Sequence, residues 1–131
     1  MNEIFPYKRI LIIDDDEMAH YLTHQTIKMH DRSLSVYHAM DVDSGIDMYK
    51  SFKTPALPNL ILLDLYFERQ HKQGKDFIAE FQQLHKEIIS RTRLIVLTAL
   101  SFYNEGQEHY EKNAEIIMLP KPFTINKIME Q

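Results

Sequence analysis

The sequence predicts an α/β domain: a doubly wound parallel β-sheet with helices on both faces. Two observations carry that expectation. Short apolar runs, "ILII" at 10–13, "LILL" at 60–63, "LIVL" at 94–97 and "IIML" at 116–119, are continuous rather than alternating, as strands buried on both faces of a parallel sheet require. Segments of helical period separate them, so that strand and helix alternate along the chain and right-handed crossovers close each βαβ unit.

The elements follow in order. "ILII" runs straight into Asp14, Asp15, Asp16 and Glu17, where like charges repel unless a cation or hydrogen-bond donors offset them. Behind that acid run, Met18, Leu22, Thr26 and Met29 form a loose stripe expected to be the buried face of a first helix. "SLSVYH" at 33–38 alternates, as a half-exposed edge strand does. Val42, Ile46, Tyr49 and Phe52 mark a second helix, with Asp43 or Ser44 as its cap. "KTPALPN" at 53–59 is a Pro-stiffened loop, and "ERQHKQGK" at 68–75 a charged one carrying Gly74. Between them "LILL" closes on Asp64. Phe77, Phe81, Leu84 and Ile88 predict one helix over 76–88. "LIVL" closes on Thr98, and residues 102–112 offer a fourth helix only Tyr103 and Tyr110, which makes it the softest element. "IIML" leads into Pro120 and Lys121, and Ile125, Ile128 and Met129 share one face of a final helix that stops after about two turns.

Composition bounds the function. At 131 residues and 44% hydrophobic content the chain is expected to form one domain, residues 1–131, with a core of its own. Cysteine is absent, so neither disulfides nor thiol chemistry operate, in keeping with a reducing cytoplasm. "MNEIFPYKR" lacks the apolar centre of a signal peptide and no run approaches the ~20 residues of a membrane span, so a soluble cytoplasmic protein without membrane contact is expected. A net charge of −4 gives no basic footprint for direct nucleic-acid binding. His20 and His24 stand at i, i+4 but have no third ligand in sequence, and read as a solvated helix face. Met18, Met29, Met48 and Met118 read as core filler.

In such a sheet, ligands bind beyond the carboxyl ends of the strands, where strand order reverses. Asp14 and Asp15 end the first strand, Asp64 the third and Thr98 the fourth, and Lys121 follows the fifth. Carboxylates, a hydroxyl and an ammonium converging there make a hard oxygen site for Mg²⁺ with room for a phosphoryl group. The ion would offset the repulsion within the acid run. Taken alone, that run reads equally as a capped and solvated first turn of helix.

The motifs "IIDDDE", "LILLDLYF", "IVLTAL" and "LPKPF", in this order and each at a strand end, resemble the receiver domain of two-component response regulators over nearly the whole chain. The resemblance implies a (βα)5 flavodoxin-like fold with strand order 2-1-3-4-5. It implies that Asp64 accepts a phosphoryl group from a sensor histidine kinase, a histidine phosphotransfer protein or a small phosphodonor. Asp15 and Asp64 would bind Mg²⁺ directly with the main-chain carbonyl of Tyr66, and Asp14 through a metal-bound water. Thr98 would hydrogen-bond the phosphoryl oxygen and Lys121 pair with it. These roles are chemically sound, since a carboxylate is a competent nucleophile toward phosphorus and catalysis of the transfer is mostly positioning and charge neutralisation.

The same resemblance makes the chain a switch that catalyses its own phosphorylation and slow dephosphorylation, not a conventional enzyme, with Tyr66 and Leu100 flanking the approach of the hydrolytic water. Read-out falls to the surface of the 102–112 helix, the 116–119 strand and the final helix, toward a downstream protein, an output domain after the short last helix, or a second copy of the phosphorylated chain. The Lys121–Pro122 bond is expected in cis. Phe67 and Glu68 stand where the family commonly has Met-Pro, the loop to Gly74 is longer than usual, and Met118 replaces the usual aromatic switch residue. Two other functions fit parts of the pattern. In a Mg²⁺-dependent phosphatase of the haloacid dehalogenase type, Asp14 would be the nucleophile, which leaves Asp64 unexplained. In a receiver-like binding module, no phosphoryl group would be transferred.

Overall fold

The computed structural model of the protein describes residues 5–68, 70–84, 86–99, 116–121 and 124–130. Strands β1 (Arg9–Ile13), β2 (Ser35–Ala39), β3 (Leu60–Asp64), β4 (Arg93–Ala99) and β5 (Ile116–Lys121) make one sheet in the order β2-β1-β3-β4-β5. Every pairing is parallel, and the register sets Ile13 beside both Ala39 and Leu63, Asp64 beside Leu97, and Thr98 beside Pro120. The carboxyl ends therefore lie along one edge. This is the flavodoxin-like topology expected from the sequence.

Alternation within the strands explains their unbroken apolarity. Leu11, Ile13, Ile61, Leu63 and Val96 face one side, where they pack with Ile46 and Tyr49 of α2 (Val42–Ser51) and Phe77 and Phe81 of α3 (Gly74–Gln82). Ile10, Ile12, Leu60, Leu62, Ile95 and Leu97 face the other, against Ile27 of α1 (Glu17–His30) and Ile128 of a short C-terminal helix, Ile125–Met129. Each such side chain removed from water contributes roughly 1.5–3 kcal/mol before conformational entropy is set against it.

Three expectations are corrected. The buried face of α1 runs through His20, Thr23 and Ile27, whereas Met18, Leu22 and Met29 are 61%, 56% and 84% exposed. At about 100° per residue the buried set lies nearly opposite the predicted stripe. The single helix expected over 76–88 divides into α3 and one further turn, α4 (Lys86–Ile89). The Gln83 and Leu84 N–H groups bond back three residues, to Glu80 and Phe81, and this tightening closes α3. The cap of α2 is Asp41, one residue before the helix, whose carboxylate accepts from the Ser44 N–H at 2.7 Å. With α4 so placed, the C-terminal helix Ile125–Met129 is α5, capped by Thr124. The 102–112 helix, Leu100 and the Lys121–Pro122 bond lie outside the described residues.

Candidate functional site

The sheet edge gathers the predicted carboxylates. Asp14 leaves β1 with its N–H donated to the Ala39 carbonyl at 3.1 Å, continuing the ladder by one rung. Its buried side chain accepts from the Asp16 N–H through Oδ1 at 3.0 Å and from Lys121 Nζ through Oδ2 at 3.2 Å. Asp16 in turn caps α1 by accepting from the Met18 N–H. Asp15 points to the neighbouring loop, where it accepts from the Glu68 N–H at 2.7 Å. Asp64 closes β3, and Lys121 Nζ stands 3.3 Å from its Oδ1. Carboxylate oxygens of Asp14, Asp15 and Asp64 lie within 4.8 Å of one another.

Burial pushes the Asp64 carboxyl up to about 6; the Lys121 ammonium pulls it back down, and Asp14 and then Asp15 push it further up. Burial works against the charge on Lys121, but Asp64 and Asp14 outweigh it and its pKa is raised. One ammonium facing three carboxylates leaves negative charge uncompensated once all are ionised. Thr98 Oγ1, fully buried, has no hydrogen-bond partner among the described residues. A buried hydroxyl without a partner calls for an explanation. Hard oxygen donors and surplus negative charge around a carboxyl raised by burial and by its acidic neighbours are the chemistry that a divalent ion such as Mg²⁺ completes. Next to Asp14 and Asp64 opens a cavity of about 460 Å³, walled by Ile12, Leu62 and Leu97 of the sheet and by Leu22 and Thr26 of α1.

The residues predicted for the site thus meet at one edge: Asp14, Asp15, Asp64, Thr98 and Lys121. Tyr66, two residues past Asp64, has an exposed side chain, as has His71. Both oxygens of Asp14 are engaged by the protein, which leaves it poorly placed as a nucleophile.

Other contributors were hidden from sequence reasoning. Gln73 ties down the loop behind Asp64: its Oε1 accepts from the Phe67 N–H at 2.7 Å and its Nε2 donates to the Phe67 and Gln70 carbonyls. Gly74 lies so close behind that a Cβ there would sit 2.6 Å from the Asp64 carbonyl oxygen. Of this clasp only the glycine was visible in the sequence. The histidines are the larger surprise. His20 is 6% exposed rather than solvated, with Nε2 2.7 Å from the Asp14 carbonyl oxygen and Nδ1 2.7 Å from Nδ1 of His38, whose Nε2 lies 2.9 Å from His24 Nδ1. The i, i+4 spacing of His20 and His24 was the available signal, and His38 the partner that only the β1–β2 pairing brings to it.

Comparison with known proteins agrees with this geometry. The family model for the response regulator receiver domain matches residues 10–131. No curated protein is matched. Among solved structures, a response regulator receiver protein from Dyadobacter fermentans is 26% identical, with 93% of this chain and 92% of that one covered and a TM-score of 0.79. A two-component response regulator from Cytophaga hutchinsonii, 20% identical over 93% of this chain and 91% of its own, has a TM-score of 0.82. The receiver domain of the Francisella response regulator 1452, 18% identical over 94% and 91%, has a TM-score of 0.68. The last two speak to the fold alone. Among the described residues no helix is long and apolar enough to cross a membrane. On the strength of the family match, which spans nearly the whole chain, the protein belongs to the response regulator receiver domain family, the switch modules of two-component signalling.

Proposed function

We propose that the chain is a phosphorylation switch in which Asp64 accepts a phosphoryl group from a histidine kinase, a histidine phosphotransfer protein or a small phosphodonor. The observation that carries this reading is the setting of Asp64: at the carboxyl end of the central strand, 3.3 Å from Lys121, grouped with Asp14 and Asp15, and on the sheet edge that carries the Thr98 hydroxyl, which has no partner among the described residues. A carboxylate oxygen of Asp64 forms the new bond to phosphorus while the bond to the donor atom breaks. Lys121 balances charge on the transferred oxygens, and Thr98 Oγ donates to one of them. Asp15, Asp64 and the main-chain carbonyl of Tyr66, with Asp14 behind them, would hold Mg²⁺, which supplies charge neutralisation to the transfer.

Signal then passes to a downstream protein, an output domain or a second phosphorylated copy through the surface that includes β5 and α5, the movement of Thr98 toward the new charge being the local event. The Tyr66 side chain shields the approach of water, so the acyl phosphate decays slowly. A cytoplasmic setting, one domain over 1–131 and contact with neither membrane nor nucleic acid complete the reading.

The test is to incubate the protein with Mg²⁺ and acetyl phosphate and locate the modified residue by mass spectrometry, or to locate bound beryllofluoride in a crystal structure. Modification at Asp64, abolished in a folded Asp64→Asn variant, is expected. Labelling at Asp14 would favour the phosphatase reading, and none at all would leave a binding module.

A further inference from the structure

We infer that His20 is a positioning residue for the phosphoacceptor site, held in place by a one-way hydrogen-bond relay through His38 from His24, which together lock the Asp14 peptide. The inference rests on the proposed role of Asp14 at the Mg²⁺ site.

The direction of the relay follows from its last acceptor. The Asp14 carbonyl can only accept, so the His20 nitrogen facing it, Nε2 at 2.7 Å, carries the proton. With the ring neutral, His20 Nδ1 is then a bare acceptor, and the His38 Nδ1 that lies 2.7 Å away must donate to it. His38 Nε2 becomes an acceptor in turn and takes its proton from His24 Nδ1 at 2.9 Å. One set of neutral tautomers satisfies all three contacts: N–H at Nε2 of His20 and at Nδ1 of both His38 and His24. Burial, followed by the two neighbouring rings, lowers the His38 pKa and so favours its neutral form.

The arrangement grips Asp14 on every polar atom. Its N–H goes to Ala39, the residue after His38 in β2; its carbonyl receives His20; its carboxylate oxygens receive the Asp16 N–H and Lys121. The strand pairing fixes one end of this peptide and the relay fixes the other, so the turn that presents Asp14 and Asp15 cannot rotate without breaking a buried bond. A shared transition-metal site is a poorer account of the same rings. Among the described residues the group able to hold one ion is Asp14, Asp15 and Asp64, and the histidine nitrogens pair two by two through His38 instead of converging.

The experiment has two arms. Long-range ¹H–¹⁵N spectra of the metal-free protein, recorded at alkaline pH, should show His20 as the Nε2–H tautomer and His38 and His24 as Nδ1–H. His24→Ala, a partly exposed position in α1, should leave His38 as Nδ1–H, because His20 Nδ1 still accepts from it, whereas His20→Leu should release His38 to mixed tautomers while the fold persists. Mg²⁺ affinity is then measured by NMR titration in wild type, His20→Gln, His20→Asn and His20→Leu. The Gln amide nitrogen can stand in for Nε2 and should hold affinity near wild type. Asn and Leu should each weaken it roughly three- to tenfold, the loss of one buried hydrogen bond. If wild type binds no Mg²⁺, the proposed metal role of Asp14 fails. If wild type binds and all three His20 variants bind alike, or if His38 and His24 are found as Nε2–H, the relay fails while the metal role stands. Should the Leu variant not fold, the Asn variant and the tautomer assignments decide.

Discussion

Asp64 should destabilise the metal-free domain at neutral pH, and replacing it with Asn should therefore raise stability while removing the acceptor. Its carboxyl titrates at about 6 in the folded chain against 3.8 for the unperturbed group, with burial as the leading cause. Between those values the folded state binds more protons than the unfolded state, so stability falls as pH rises through the window and the full penalty is present above it. Two pKa units at 1.36 kcal/mol each give about 3 kcal/mol, little reduced by solvent because the side chain is only 13% exposed. Asn keeps the shape and removes the charge, and Lys121 retains Asp14 as its partner at 3.2 Å. Thermal unfolding followed by circular dichroism in EDTA at pH 7.5 should place Asp64→Asn about 10 °C above wild type, taking roughly 4 °C per kcal/mol for a domain of this size. At pH 4 the gain should shrink below about 1 kcal/mol, because Asp64 of wild type is then protonated in the folded state and already about half protonated in the unfolded one. Saturating Mg²⁺ at pH 7.5 should also close the gap, by stabilising wild type through mass action. An Asn variant no more stable than wild type at pH 7.5 without metal, or equally favoured at pH 4, would refute the electrostatic account of this site.

Three further substitutions probe the frame around it. Gly74→Ala should cost about 1–3 kcal/mol and slow labelling of Asp64, because the added Cβ meets backbone, the Asp64 carbonyl oxygen at 2.6 Å and the Leu65 Cα at 2.8 Å; urea denaturation and unchanged labelling at wild-type stability would show that the loop yields freely. Thr92→Val should cost about 1–3 kcal/mol, since the buried Thr92 hydroxyl donates to the Pro58 carbonyl and meets the Tyr49 hydroxyl, both at 2.6 Å, and a neutral result would mean that water replaces it. Asp41→Ala should lose about 1 kcal/mol as α2 gives up its cap, with Ser44 the amide that loses its acceptor, and the loss should be absent from a control at the exposed Asp47, Asp47→Ala, within the same helix.

The sheet was legible because burial on both faces writes itself as unbroken apolarity, and because each of the strand-end residues that matter, Asp14, Asp64 and Thr98, follows directly on such a run. Two-sided burial tolerates no other pattern. Helix limits were less legible for a local reason. Phe77, Phe81, Leu84 and Ile88 keep helical spacing, and Leu84 and Ile88 do pack against the same core as the two phenylalanines, so the stripe persists across a break made by backbone bonds that no side chain announces. The clasp by Gln73 was illegible for the same reason: its partners, the main-chain groups of Phe67 and Gln70, carry no residue identity.

The orientation of α1 failed for a different cause, and it bears on function. Periodicity assigns the core face to whichever stripe is more apolar, on the premise that a helix earns its place by burying hydrocarbon. In α1 the inward face holds His20 and Thr23 with Ile27, and a polar face turns inward only when its hydrogen bonds are made. His20 makes them with the Asp14 carbonyl and His38. The polar inward contacts of α1 are thus the contacts that hold the carboxyl end of β1, and Met18, Tyr21, Leu22 and Met29 are left facing solvent as a result. The docking of α1 thus joins the burial of Ile27 in the core to the hydrogen bonds that hold the Asp14–Asp15 turn.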